Sequence, residues 1–281
     1  MRWLVVGAAG MLGTDLLQVL AEHGEVADGH DRATIDVTDP VATTGVADGY
    51  DVVVNCSAYT AVDAAEGDEA AAFAVNAVGP ANLARAARAA GARMVQISTD
   101  YVFDGSATQP YAADAPGAPR SAYGRTKLAG EWAARAEARD VLVVRTAWLY
   151  GAHGACFPKT IARVARERGG LDVVDDQVGQ PTWTVDVAEL VVALVRAQAP
   201  AGVYHGTSSG RTSWHGFAQA VVGAAGMDPQ IVRPTTSDAF VRPAPRPAFS
   251  VLDHASVVAA GVPPIGEWQE RWSTAARSVL A

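Results

Sequence analysis

The opening residues constrain the fold of this chain more than any other segment does. An apolar run, 3–6, leads directly into Gly7, Gly10 and Gly13, and the residues after Gly13 have the pattern of a helix. A strand, a glycine turn and a helix in this order form a site for a dinucleotide pyrophosphate. Gly7 permits the tight turn, Gly10 lets the backbone approach phosphate, and Gly13 packs the helix on the strand. The anion then binds free N–H groups at the positive end of the helix. The glycines are spaced G-x-x-G-x-x-G rather than G-x-G-x-x-G, so a strand–turn–helix without a ligand is the alternative.

Composition and charge favour a globular protein and exclude several classes. The 281 residues can bury a large core, and 49% hydrophobic with 19% charged residues argues against disorder. The net charge of -8 argues against a general nucleic-acid or membrane-surface binder, although local arginines could still bind an anionic substrate. Cys56 and Cys156 give no disulfide framework and fit a reducing cytoplasm. No segment has a signal-peptide plan or the length to span a membrane.

Strand-like runs alternate with alanine-rich helical stretches through the first half of the chain. Strands are predicted near 3–6, 25–27, 51–55, 92–98 and 141–145, and helices near 14–20, 66–90 and 123–139. This alternation predicts an α/β fold with a doubly wound parallel sheet, a Rossmann fold. Ligands bind such sheets at the carboxyl ends of the strands. Residues 1–147 are predicted to form mainly the dinucleotide-binding domain. Residues 148–281 are predicted to form mainly a smaller substrate lobe, with some segments returning to the first core.

A proline-rich stretch in the second half, 233–247, resembles an ordered loop rather than a linker. It carries Arg233, Arg242 and Arg246, which could converge on an anion such as a diphosphate. Solvated surface arginines are the alternative interpretation, and the sequence leaves both open.

Tyr123 and Lys127 are four residues apart at the start of a predicted helix and therefore share one face. A tyrosine pKa of about 10 is too high for easy proton exchange at neutral pH, and a nearby ammonium is expected to lower it. Such pairs also occur on many solvated helices. Thr99, however, follows a predicted strand and could donate a hydrogen bond to a carbonyl oxygen while Tyr123 protonates it. A hydroxyl donor, a proton donor and a cation beside a dinucleotide turn are the groups that hydride transfer to a ketone needs.

This combination resembles the extended short-chain dehydrogenase/reductases and, within them, the dTDP-4-dehydrorhamnose reductase family. The resemblance covers nearly the whole chain and rests on 36–39, Asn55 with 58–66, 98–105, 145–151, 175–182, 246–247 and 250–253. It implies an oxidoreductase that uses NADPH or NADH to reduce the C4 ketone of dTDP-4-dehydro-L-rhamnose to dTDP-L-rhamnose. A cytoplasmic monomer or homodimer is expected.

The resemblance also implies roles for individual positions. Those at the cofactor pyrophosphate are Gly10, Met11 and Leu12; those at the adenosine are Asp31, Arg32, Asp36 and Val37; those at the next strand end are Ser57, Ala58 and Thr60. The catalytic residues would be Thr99, Tyr123 and Lys127, the last two also touching the cofactor. The sugar nucleotide would meet Thr99, Asp100, Trp148 and Arg246. A core aromatic is the simpler interpretation of Trp148.

Two neighbouring residues give opposite indications of the cofactor. Asp31 favours the free ribose hydroxyls of NADH, whereas Arg32 accommodates the 2′-phosphate of NADPH. Dual use is therefore plausible, with a preference for NADPH because reductive biosynthesis in the family usually draws on it.

The sequence departs from the family at Cys156, which stands where the family usually has an asparagine before Phe157. Cysteine is a weak hydrogen-bonding group, so the exact keto sugar stays open. A reductase of a related dTDP-4-keto-6-deoxysugar in secondary metabolism, of the dihydrostreptose type, is the first alternative. A non-catalytic regulatory subunit of the same fold, like that of methionine adenosyltransferase, and an NAD-retaining epimerase or dehydratase are the others.

Asp15 lies in the first predicted helix. Some family members resemble dimers bridged by magnesium through an acidic residue there, so Mg²⁺ at an oligomer interface is conceivable. A solvated helix residue is the simpler interpretation, and no metal ligands are assigned.

Overall fold

The computed structural model describes residues 1–281. The strands are β1 (Arg2–Val6), β2 (Val26–His30), β3 (Val52–Asn55), β4 (Arg93–Thr99), β5 (Val141–Thr146), β6 (Leu149–Tyr150), β7 (Leu171–Val174), β8 (Val178–Gly179), β9 (Thr182–Trp183), β10 (Gly202–His205), β11 (Thr212–Ser213) and β12 (Val232–Thr235). The α-helices are α1 (Met11–Glu22), α2 (Val62–Ala65), α3 (Glu69–Phe73), α4 (Gly79–Ala90), α5 (Ala122–Glu137), α6 (Phe157–Arg168), α7 (Thr184–Arg196), α8 (Trp214–Ala224), α9 (Ala255–Ala259) and α10 (Trp268–Leu280).

The central sheet has six parallel strands in the order β10-β5-β4-β3-β1-β2. The predicted doubly wound parallel sheet is therefore confirmed. The chain reverses its direction of travel through the sheet between β1 and β3. A crevice opens at the carboxyl ends of the strands beside such a reversal, and ligands of this fold class bind there.

Alternate residues of the buried strands supply the two faces of this sheet. Trp3 and Val5 of β1 pack with α1 and α7 on one face, while Leu4 and Val6 pack with α4 on the other. This two-residue period follows from strand geometry, which sends successive side chains to opposite faces. Burial on both faces explains why these strands are continuous apolar runs in the sequence.

A separate hydrophobic core forms in the second half of the chain. It joins β7 and β12 to α6, α8 and α10, and its largest wholly buried side chains are Tyr150 and Phe217. β10, which lies between these segments in sequence, returns to the central sheet beside β5. None of the helices combines the length and the apolar character that crossing a membrane requires.

The helix predicted over 66–90 is largely confirmed, because 69–90 is helical throughout, but it starts after a turn and contains a π-helical turn. A turn at 66–68 separates α2 from α3, and the Asp68 side chain accepts a hydrogen bond from Ala71 N to begin α3. A π-helical turn, Ala74–Val78, then leads into α4. Within that turn, the Asn76 side chain bonds the backbone of Tyr59 and the hydroxyl of Thr126. These contacts with distant segments lie at the one turn where the helix departs from regular α geometry.

Candidate active site

A cleft of about 900 Å³ lies at the carboxyl ends of β1 to β5. It collects nearly every residue that the sequence singled out: Gly7, Gly10, Met11, Leu12, Gly13, Asp31, Arg32, Asp36, Val37, Ser57, Ala58, Thr60, Thr99, Asp100, Tyr123, Lys127 and Trp148. Arg246 does not line it. A second concavity of about 910 Å³, between α6, α8 and α10, contains none of these residues.

The glycine turn leaves open space and free donors at one end of the cleft. Gly7 has φ +84°, and a Cβ placed on it would lie 2.6 Å from Ser57 N. A Cβ on Gly13 would collide with the Gly7 carbonyl, so this glycine permits close packing of α1 on the turn. α1 begins after Gly10 without a side-chain cap, which leaves the N–H groups of its first turn unpaired. Space and donors together fit a pyrophosphate.

The turn after β3 forms the neighbouring wall. Asn55 is wholly buried, and its Oδ1 accepts hydrogen bonds from Ser57 N at 3.0 Å and Ser57 Oγ at 2.6 Å. Asn55 Nδ2 donates to Gln96 Oε1 on the adjacent strand at 2.9 Å. This anchoring fixes the backbone that presents Ser57 and Ala58 to the cleft.

At the end of β2, Asp31 and Arg32 differ in how far they are already engaged. Asp31 Oδ1 accepts hydrogen bonds from Ala33 N at 2.9 Å and Thr34 Oγ1 at 3.3 Å. Arg32 lines the cleft, is exposed, and takes part in none of the ion pairs of the structure. Asp36 likewise caps its own turn, and hydrogen bonds from Thr38 hold its pKa below the usual value. Asp31 and Asp36 therefore stabilise their own turns, whereas the Arg32 guanidinium has no ion-pair partner.

α5 carries Tyr123 and Lys127 on the face that meets the cleft. The Ser121 hydroxyl caps this helix by accepting a hydrogen bond from Gly124 N at 3.1 Å. Lys127 is 4% exposed, and its Nζ donates to the Ile97 carbonyl at 2.6 Å. Burial lowers the pKa of Lys127 to about 8, against the opposing effects of Glu131 and Cys56.

The expected lowering of the Tyr123 pKa by Lys127 is not found. Burial raises the pKa of Tyr123 to about 12; the Thr99 hydroxyl acts in the lowering direction and the Asp100 carboxylate adds to the rise. The reason is that desolvation of a phenolate outweighs the favourable neighbours. Tyr123 therefore keeps its proton at neutral pH, as a proton donor must.

Thr99 ends β4 beside Tyr123 and is 6% exposed. Its Oγ1 donates to Asp100 Oδ1 at 3.0 Å and accepts from Tyr101 N at 3.2 Å. Burial raises the pKa of Asp100 to about 6, although Ser250 and Thr99 act in the lowering direction. A hydroxyl, a phenol and a buried carboxyl thus meet at one strand end.

Trp148 lies at the opposite wall with φ +48°, a conformation that is rare for a non-glycine residue. Its ring lies against Gly179, where a Cβ would come within 2.7 Å of the indole nitrogen. Its other neighbour is Trp214, a residue that the sequence did not single out. Cys156, by contrast, does not line the cleft, and its Sγ lies 3.7 Å from the Gly151 carbonyl.

The three arginines of the proline-rich stretch do not converge. Arg233 pairs with Asp172 at 2.7 Å on an exposed surface. Arg246 pairs with Asp63 at 2.9 Å, and Arg242 lies 3.8 Å from the same carboxylate. The expectation fails for Arg233 because β12 carries it alongside β7, away from the loop that follows.

Asp15 is not the solvated helix residue that the sequence suggested. It is 3% exposed, accepts a hydrogen bond from the Thr184 hydroxyl, and lies 3.5 Å from His153 Nε2. No group of three or more His, Cys, Asp or Glu side chains is arranged to hold a metal ion. The structure therefore gives no support to Mg²⁺ binding through Asp15.

The cleft also contains residues that the sequence analysis missed, among them Cys56, Tyr101 and Thr146. Cys56 immediately follows β3 and Thr146 ends β5, so the rule that ligands meet strand carboxyl ends could have found both. Burial raises the pKa of the Cys56 thiol to about 12, which argues against a reactive thiolate.

Comparison with known proteins gives this arrangement a family. A model of the RmlD substrate binding domain matches residues 1–280. The chain belongs to the RmlD substrate-binding domain family. A dTDP-4-dehydrorhamnose reductase of Streptomyces griseus is 48% identical over 95% of this chain and 90% of its own length. The resemblance found in the sequence is therefore confirmed.

Two further relatives bear on the substrate and the cofactor of this RmlD-family chain. A probable dTDP-4,6-dihydroxy-2-methyloxan-3-one 4-ketoreductase of Streptomyces antibioticus is also 48% identical, over 100% of this chain and 96% of its own length. The crystal structure of a Bacillus anthracis dTDP-4-dehydrorhamnose reductase in complex with NADP superposes with a TM-score of 0.94. That protein is 33% identical, with 98% of both chains covered.

Proposed function

We propose that this protein uses NADPH to reduce the C4 ketone of dTDP-4-dehydro-L-rhamnose, giving dTDP-L-rhamnose. The observation that carries the proposal is the meeting of Thr99, Tyr123 and Lys127 in one cleft with an open glycine cradle. The presence of all three of these side chains favours an oxidoreductase over a non-catalytic regulatory subunit. The names of the relatives support the same reaction.

The side chains divide the chemistry among themselves. Bound nicotinamide supplies the hydride that reaches C4. The Thr99 hydroxyl turns from Asp100 Oδ1 to donate its hydrogen bond to the carbonyl oxygen. Tyr123 Oη transfers its proton to that oxygen as negative charge develops. A secondary alkoxide is a stronger base than a phenolate, so the transfer is favourable even from a phenol with a pKa of about 12. Lys127 lines the same cleft, and we assign its ammonium to the tyrosinate that this transfer leaves and to the cofactor.

The groups at the end of β2 favour NADPH over NADH. Asp31 is committed to its own turn, so its carboxylate is poorly placed to accept both ribose hydroxyls. The free guanidinium of Arg32 can pair with a 2′-phosphate, which only NADPH carries. NADH is the alternative cofactor at the same site.

The second half of the chain is assigned mainly to the sugar nucleotide. Residues 148–281 supply Trp148 to the cleft wall. They also supply Arg246, whose guanidinium lies 6.0 Å from the ring centre of the cleft residue Tyr101, and we assign the diphosphate to Arg246. Two free cysteines agree with a cytoplasmic setting. We propose a monomer or a homodimer.

A related keto sugar is the second candidate substrate. The ketoreductase relative is as similar to this chain as the rhamnose-forming one, and Cys156 replaces the asparagine usual in the family. Both candidates share the C4 ketone and the dTDP group, so the same residues would act.

The deciding experiment follows NADPH oxidation with dTDP-4-dehydro-6-deoxyglucose, with and without a 3,5-epimerase. Oxidation only with the epimerase, and dTDP-L-rhamnose as the product, is the expected result. Oxidation without the epimerase would move the assignment to the second candidate. No oxidation in either case would contradict both and favour the regulatory subunit.

A further inference from the structure

One helical turn connects the loop at 242–246, the end of the proline-rich stretch, to α5. Asp63, in α2, accepts a hydrogen bond from Ala244 N at 3.3 Å and pairs with Arg246 Nη2 at 2.9 Å. Arg242 Nη1 lies 3.8 Å from the same carboxylate. Asp63 therefore ties both the backbone and the charged side chains of the loop to α2.

Glu66 reaches in the other direction. Its Oε1 accepts a hydrogen bond from Ala122 N at 2.7 Å, one residue before Tyr123. Ala122 opens α5, and the N–H groups in the first turn of a helix have no partner within it. A carboxylate at this end also interacts favourably with the helix dipole. Glu66 thus fixes the start of the helix that presents Tyr123.

Arg246 and Tyr123 are also close through an aromatic ring. The Arg246 guanidinium lies 6.0 Å from the centre of the Tyr101 ring, and that ring packs edge-on against Tyr123 with centroids 5.6 Å apart. Arg246 Nη1 is buried and has no hydrogen-bond partner. Leaving a buried charged donor unpaired costs free energy, so an anionic oxygen brought to it would be stabilised.

We propose that Asp63 and Glu66 are positioning residues that set the distance between the two ends of the substrate. Asp63 holds Arg246 for the diphosphate, and Glu66 holds Tyr123 for the C4 oxygen. Both residues lie within one turn, so the two attachments move together. Accurate placement matters because a misplacement of about 1 Å can reduce a rate by about a hundredfold. This inference rests on the proposed function.

The two carboxylates should produce opposite kinetic defects. Asp63→Ala releases Arg246, so the KM for the dTDP-keto sugar and the inhibition constant of dTDP should each rise at least about tenfold. The inhibition constant of thymidine, which lacks the diphosphate, and kcat should change less than about twofold. Glu66→Ala should lower kcat about tenfold and leave dTDP inhibition and NADPH binding unchanged.

Conservative variants separate these roles from a loss of folding. Glu66→Gln keeps an acceptor oxygen for Ala122 N and should recover most of kcat. Asp63→Asn keeps an acceptor for Ala244 N but lacks the charge, so it should resemble Asp63→Ala in dTDP binding. Glu69→Gln is the matched control, since it removes an exposed ion pair with Arg125 that also joins the α2–α3 region to α5. It should leave every constant unchanged.

Some results would overturn the inference. In Asp63→Ala, this would be a loss of thymidine binding as large as the loss of dTDP binding. In Glu66→Ala, it would be a kcat equal to that of wild type. In Glu69→Gln, it would be kinetic defects as large as those of Asp63→Ala or Glu66→Ala. Binding of dTDP can be measured without turnover. A wild type that binds dTDP but fails to reduce the keto sugar would therefore count against the proposed function and leave the Asp63 test intact.

Discussion

The indole rings of Trp148 and Trp214 lie face to face, with centroids 3.6 Å apart and planes within 7° of parallel. Trp148 follows β5 in a left-handed conformation, and Trp214 begins α8 in the second hydrophobic core. Backbone strain of this kind costs about 1 to 3 kcal/mol and persists where the surroundings hold it. The stack therefore joins the cleft wall that Trp148 forms to the core of the second half.

Removing the stacking partner should weaken substrate binding. In Trp214→Ala, the KM for the dTDP-keto sugar should rise about tenfold with a smaller change in kcat, because Trp148 loses its support. Steady-state kinetics and a dTDP titration would measure this. Trp132→Phe is the control, since Trp132 is 61% exposed on the surface. Equal KM values for Trp214→Ala and wild type would show that the stack has no role in the site.

The cofactor preference should depend on Arg32. In Arg32→Ala, the KM for NADPH should rise about tenfold, about 1.4 kcal/mol, because the 2′-phosphate loses its partner. The KM for NADH should stay within about twofold, since NADH carries no such phosphate. Arg163→Ala, which removes an exposed charge paired with Glu167, controls for net charge. An equal loss for both cofactors would contradict a phosphate-specific role.

Asp100 should make stability depend on pH. Its pKa is raised from 3.8 to about 6 in the folded chain, so the folded form keeps this proton more tightly than the unfolded form does. The stabilisation is complete below about pH 4 and is lost as the pH rises through about 6, a loss of about 3 kcal/mol. Urea unfolding at several pH values should show wild type losing stability relative to Asp100→Asn over this interval. Parallel profiles would contradict the prediction.

Loss of the buried ion pair between Arg145 on β5 and Glu131 on α5 should lower stability far more than loss of an exposed pair. Glu131 accepts two hydrogen bonds from Arg145, at 2.7 and 2.9 Å, and both side chains are at most 5% exposed. Glu131→Gln leaves the guanidinium charge buried without its counter-ion, so the free energy of unfolding should fall by about 3 to 5 kcal/mol. Glu137→Gln, which breaks a more exposed pair with Arg85, should cost at most about 1 kcal/mol. Similar losses in calorimetric or urea unfolding would contradict this difference.

Local patterns in the sequence predicted the sheet and most of the cleft. Gly13 is required by close contacts with the Gly7 carbonyl and Ala8 in the same turn, and Gly7 by its φ of +84°. Tyr123 and Lys127 share a face through ordinary helical spacing. Strand ends such as Thr99 were also predictable, because parallel strands place their carboxyl ends at one edge.

Contacts between distant segments could not be predicted from such patterns. The π-helical turn at Ala74–Val78 falls within an alanine-rich helix, and in it Asn76 bonds to Tyr59 and Thr126. The separation of Arg233 from Arg246, and the stack of Trp214 on Trp148, depend equally on how the second half packs. No local period in the sequence carries this information.

The most direct test of the account compares Tyr123→Phe with wild type in NADPH oxidation driven by dTDP-4-dehydro-L-rhamnose. Phenylalanine keeps the ring and removes the proton donor, so kcat should fall at least about a hundredfold, the usual scale of acid catalysis, while NADPH binding stays nearly unchanged. Turnover equal to that of wild type would contradict the assignment of Tyr123 as the acid and the mechanism built on it.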